Sequence, residues 1–185
     1  MGDILRDFLL EKRSAILDKW LNYILGTYPE ATARYFRSQK DRFLNPVTYE
    51  FRESIGGIYQ SLIDDVDEEE ELYTSLDRII RVRAVQDFTP SQAVGFIFLL
   101  KQAIRNELGK ELEKKGLEKE LLILEEKIDK IALFAFDIYL RCREQLYEVR
   151  IKDIKNKIMG LLKATGLVHE ITQEEMKFKG DKAFI

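Results

Sequence analysis

Eight residues, Leu117, Leu121, Leu124, Ile128, Ile131, Ala135, Ile138 and Cys142, follow one another at alternating steps of four and three. That spacing is the a and d pattern of a helix packed along a seam, and a strand, whose side chains repeat every second residue, cannot gather it on one face. After an interruption between Cys142 and Tyr147 the alternation resumes as Tyr147, Ile151, Ile154, Ile158 and Leu161. A register broken inside one long helix assigns its first half to a bundle and its second half to another contact. That contact is either a second copy of the chain or the chain's own domain, since heptads also occur in intramolecular bundles. Only three prolines and ten glycines in 185 residues disfavour an all-β sandwich or barrel.

The preceding residues read as helices too. Ile4/Leu5, Phe8/Leu9, Ile16/Leu17, Trp20/Leu21 and Ile24/Leu25 form one amphipathic stripe with a pair missing at Lys12/Arg13, ended by Gly26 and Pro29. Pro29 opens a short helix through Phe36, and Asn45-Pro46 is a turn because proline pushes its predecessor away from the α region. A helix over about Val47 to Asp65 carries Phe51, Ile55, Ile58, Tyr59 and Leu62, with Gly56-Gly57 at its middle for a close crossing, a kink or a ligand's approach. Leu72 to Phe88 places Leu76, Ile79, Ile80, Ala84 and also Arg83 on its inner face. Thr89-Pro90-Ser91-Gln92 is a capping box that starts the next helix, whose body Ala93 to Leu100 is apolar all round and belongs at the centre. The sum is an all-α bundle of about six helices with a long C-terminal helix after a break at Gly116. Its divisions are residues 1–150 as a helical domain, 151–165 as an extension of the last helix, and 166–185 as a tail.

Several chemistries lack their residues. Thirty basic against thirty-three acidic residues give a net charge of −3 and no cationic field for nucleic acid. Cys142 and His169 are the only cysteine and histidine, so neither a Cys/His zinc site nor an intramolecular disulfide forms within one chain. Cys142 falls on the seam as a small hydrophobe, and His169 falls in the tail. The acidic run from Asp64 to Glu71 lacks the sixth-position glycine of a calcium loop and reads as a solvated turn. No phosphate-loop, dinucleotide or zinc-protease signature occurs, and no catalytic constellation stands out. The longest apolar run, Ala93 to Leu100, is far below the ~20 residues of a membrane span. The start Met1-Gly2-Asp3 lacks a basic leader, and Arg6 stands where myristoylation wants Ser or Thr, so the expectation is a cytoplasmic protein.

One polar group sits on the apolar stripes. Arg83 and Asp87, four apart, can pair along their helix and, with Gln86, either tie the helix end to the loop around Asn45 or give polarity to an apolar ligand pocket between neighbouring helices.

The stretch Arg81-Val82-Arg83-Ala84-Val85-Gln86-Asp87-Phe88-Thr89-Pro90-Ser91-Gln92-Ala93-Val94, with Phe43-Leu44-Asn45-Pro46-Val47 and Trp20 before Thr27-Tyr28-Pro29, resembles the RsbRD-type N-terminal domain. That family is named for the RsbT co-antagonist proteins of bacterial stress signalling, and the resemblance runs from about Leu5 to Arg150. It implies an all-helical sensory or regulatory module, globin-like in shape and without haem, which agrees with a bundle that has no histidine. Family members place it ahead of STAS or histidine-kinase output domains, for which the residues up to Ile185 leave no room. The expected function is therefore a non-catalytic regulatory module, with no cofactor, acting on a protein partner or on itself as a homodimer through its last helix. The alternative is a structural or adaptor subunit of a redox or signalling complex with no ligand.

Overall fold

In the computed structural model, residues 2–38, 43–64, 69–86 and 88–165 are described, and the expected tail, 166–185, and Asp87 lie outside them. The α-helices are α1 (Asp3–Glu11), α2 (Arg13–Gly26), α3 (Glu30–Ser38), α4 (Pro46–Asp64), α5 (Glu69–Val85), α6 (Pro90–Val94), α7 (Phe98–Lys115) and α8 (Glu118–Ala164). No strand occurs among the described residues, and the all-α expectation holds. The chain divides into two units, Met1–Arg143 and Glu144–Ile185.

The first unit holds the core. Each of the eight seam residues from Leu117 to Cys142 is buried, as the alternating spacing requires. Ion pairs tie this part of α8 to α7: Arg105 reaches Glu125 at 2.5 and 2.8 Å, and Lys101 reaches Asp129 at 2.6 Å. These pairs lie at the rim in partial contact with water, so they fix alignment more than they add stability. Tyr139 donates to the Phe88 carbonyl at 2.8 Å, joining α8 to the turn before α6.

Two expected helices are broken. The single helix expected over Asp3 to Leu25 divides at Lys12 into α1 and α2, where the apolar stripe has its missing pair. Beyond the break the stripe continues into the core through Ile16, Trp20 and Ile24, and Tyr59 donates to the Leu9 carbonyl in the last turn of α1 at 3.0 Å. The helix expected from Pro90 is likewise interrupted by a 3-10 turn over Gly95–Ile97. At that turn the Trp20 indole donates to the Phe96 carbonyl at 2.7 Å, a bond from another helix that no local pattern announces. Ala93, Val94, Phe96, Ile97 and Leu100 are buried as expected, but Phe98 is half-exposed beneath Lys101, so the helix is not apolar-packed all round.

Gly116 ends α7 in the left-handed region, φ 68°, with the Leu117 amide bonded to the Leu112 carbonyl at 3.0 Å. Gly57 serves the crossing of α4 with α5: a Cβ there would collide with the Ser75 hydroxyl and stand 3.3 Å from its Cβ. Gly56 has only the end of Arg13 at 3.9 Å from such a Cβ. The adjacent glycines therefore predict opposite outcomes. Gly57→Ala overpacks the crossing and lowers unfolding free energy by about 1–3 kcal/mol. Gly56→Ala raises it by roughly 0.5–1 kcal/mol by removing chain freedom from the helix interior. Urea denaturation of both variants checks this, and equal effects would place the close contact elsewhere.

Candidate functional site

The inner face of α5 carries Leu76, Ile79, Ile80, Arg83 and Ala84 at helical spacing, so Arg83 occupies a position built for an aliphatic side chain. It is 0% exposed. One guanidinium nitrogen, Nη1, donates to the Gln92 carbonyl and the other, Nη2, to the Thr27 hydroxyl, each at 2.8 Å. The rings of Phe88, Phe96, Tyr28 and Phe51 lie 4.8, 5.3, 5.5 and 6.0 Å from its carbon. Nε has no hydrogen-bond partner, and among the described residues no carboxylate lies within 4.0 Å of the group. Burial pulls its pKa down, opposed by Tyr28, yet a guanidinium so basic stays charged.

Beside these two neutral acceptors, the aromatic ring faces attract the cation without bringing a formal charge, at about 2 kcal/mol or more for a desolvated pair. The polar arms continue outward. Thr27 donates to the Ile24 carbonyl at 2.7 Å, and Tyr28 donates to Gln86 Oε1 at 2.9 Å. One guanidinium thus joins the end of α2, the end of α5 and the start of α6. That start is the capping box read from the sequence, with the Gln92 amide 3.4 Å from Thr89 Oγ1 and the Thr89 amide 3.0 Å from Gln92 Oε1.

The sequence groups Arg83, Gln86 and Asp87 with Asn45; Arg83 itself bonds to Thr27 and Gln92. Asn45 is buried, donates to the Phe36 carbonyl at 2.9 Å and accepts from the Thr48 amide at 3.2 Å, capping α4. The Arg83/Asp87 pair lies outside the described residues. Thr27, Gln92 and the four rings are what the sequence reading missed. Their signal was the lone cation on an apolar stripe, which must find polar atoms somewhere in the core.

The expected pocket polarised by Arg83, Gln86 and Asp87 includes Asp87, outside the described residues. An open groove of about 1060 Å³ runs over α4 and α5, but its polar lining is Arg13, Arg52, Arg78 and glutamates such as Glu70. A second groove, about 680 Å³, passes Leu25, Phe36, Asn45 and Thr48. Arg83 lines neither, because its side chain turns into the core instead of the grooves. Cys142 is buried and its thiol pKa is pushed up by that burial, which suits packing and disfavours a reactive thiolate. No group of three metal-binding side chains and no helix long and apolar enough to cross a membrane occurs among the described residues.

The second unit, described over residues 144–165, contains no buried residue. Tyr147, Ile151, Ile154, Ile158 and Leu161 are between 49% and 67% exposed, in the same alternation that is fully buried in the first unit. These five share a helix face about 80° wide.

Fold and site together define an all-α domain with a buried polar tie and an exposed apolar helix stripe. The family described as the RsbT co-antagonist protein RsbRD N-terminal domain matches residues 14–153, and the chain belongs to it. The three segments that carry the resemblance, around Trp20 to Pro29, Asn45 and Arg81 to Val94, all lie inside that span. No curated protein and no solved structure matches the chain.

Arg83→Ala empties the cage and leaves two polar partners unpaired, and is expected to cost about 3–5 kcal/mol of unfolding free energy. Arg83→Met refills the volume and removes the buried charge, so its loss is expected to be less than half as large. Arg83→Lys keeps the charge without the fork and should lose nearly as much as alanine. Chemical denaturation ranks the three, and a lysine variant as stable as wild type would show that charge alone suffices.

Burial raises the pKa of Tyr28, against the pull of Arg83, and raises that of Tyr59 further. The folded state therefore keeps both phenols protonated above the ordinary value near 10. Their contribution is complete below about pH 10 and is lost as pH rises through the raised values. Denaturation midpoints should fall between about pH 9 and pH 11, less steeply in Tyr59→Phe, and identical slopes in the two proteins would contradict this.

Proposed function

We propose that this chain is a non-catalytic, cytoplasmic regulatory module of bacterial stress signalling that acts by protein–protein contact through residues 144–165. The observation that carries the reading is the exposed alternation of Tyr147, Ile151, Ile154, Ile158 and Leu161 on the helix whose earlier turns bury the same pattern. Apolar residues in a continuous stripe at seam spacing lose the stabilisation of burial unless another surface covers them. Membership of a co-antagonist domain family supports a regulatory role, since co-antagonists act on other proteins. Arg83, with Gln86 at its edge through Tyr28, has the structural part in this reading: it holds the bundle in one arrangement.

A photo-cross-linking residue placed at position 158 of the full chain in cells is expected to give one discrete protein adduct, either a second copy or another protein. The same residue at Asn156, on the opposite face, is expected to give none, and Ile154→Asp should remove the adduct at 158. Equal adducts from both faces, or none from either, would contradict contact through this seam.

A further inference from the structure

The partner's chemistry can be read from the residues that flank the seam, an inference that rests on the contact proposed above. With Ile151 and Ile158 at a, and Tyr147, Ile154 and Leu161 at d, the preceding g positions are Arg150 and Lys157 and the following e positions are Glu148, Lys155 and Leu162. From residue 144 to residue 165 the helix has five basic residues against three acidic ones, although the whole chain is net acidic at −3. The apolar face therefore runs between basic borders, with Glu148 the one acidic residue on either side.

Flanking charges decide which helix can lie against such a seam. A second copy in parallel register sets Arg150 against the other chain's Lys155, and an antiparallel copy sets the g residues Arg150 and Lys157 against each other. Both arrangements set basic residues together, and although the antiparallel one also sets Glu148 against Lys155, neither offers a carboxylate to Arg150 or Lys157. A lipid surface would also attract the lysines, but residues 144–165 hold neither Trp nor Phe, and charged side chains stand at both g positions beside the stripe. A protein helix with an apolar stripe and acidic borders matches the charge.

We propose that residues 144–165 dock an amphipathic helix of another protein whose e and g positions are Asp or Glu. The test uses the full chain and two fluorescent four-heptad peptides with Leu at a and d, one with Glu at e and g and the other with Lys. Anisotropy is expected to show the acidic peptide binding at least tenfold more tightly, weakening as salt is raised. The variant Arg150→Glu/Lys155→Glu/Lys157→Glu should reverse the preference, and Ile154→Asp should weaken both peptides. Reversal by the charge variant is a readout that mere loss of folding would not produce.

Equal binding of the two peptides would overturn the proposal. So would a dimer by light scattering that Ile154→Asp dissociates, which makes a second copy the occupant and leaves contact through the seam standing. Binding to phosphatidylserine vesicles in place of the acidic peptide would make the occupant a lipid surface. Peptide binding that emerges only after removal of residues 166–185 would assign the seam to the chain's own tail. If neither peptide, copy nor vesicle binds and no cross-link forms at position 158, the wider reading fails with this one.

Discussion

A single buried cation sets the arrangement of the bundle. Arg83 stands where an aliphatic residue would satisfy the helix pattern, and desolvating its charge costs several kcal/mol. That cost is offset only if the fork meets the Thr27 hydroxyl and the Gln92 carbonyl while four aromatic rings face the guanidinium. Alternative packings of equally apolar helices would leave the charge without these partners. The end of α2, the end of α5 and the start of α6 are thus held to one geometry by a polar contact, and the remaining hydrophobic surfaces close around it.

Much of this was legible in the sequence because it is local. The capping box at Thr89 to Gln92, the left-handed Gly116 and the buried alternation from Leu117 to Cys142 each follow from a few adjacent residues. The missing apolar pair at Lys12/Arg13 even marks the break between α1 and α2, although the stripe on either side reads as one helix. What was not legible depends on chain segments meeting across the core. Trp20 bonds to a carbonyl 76 positions away, and Arg83 bonds to a hydroxyl 56 positions away. A stripe shows that Arg83 faces inward but not whether Asn45 or Thr27 waits there. Asn45 caps α4 three residues on.

The last helix uses one spacing for two purposes. Up to Cys142 its apolar residues are consumed by the core, and from Tyr147 the same alternation is exposed. The step of five between Cys142 and Tyr147 breaks the alternation of fours and threes. A regulatory domain needs this division: a rigid body that keeps its shape and a surface that stays available for another molecule. The Arg83 tie joins three helix ends, and Arg150, Lys155 and Lys157 stand beside the exposed stripe.

Hydrogen–deuterium exchange on the free, full chain tests that division most directly. The account predicts slow exchange for residues 117–142, approaching the limit set by global unfolding, and exchange faster by orders of magnitude for residues 144–165, whose apolar stripe is exposed. Equal, strong protection along the whole of α8 in the free protein would contradict it, because the second stripe would then already be buried.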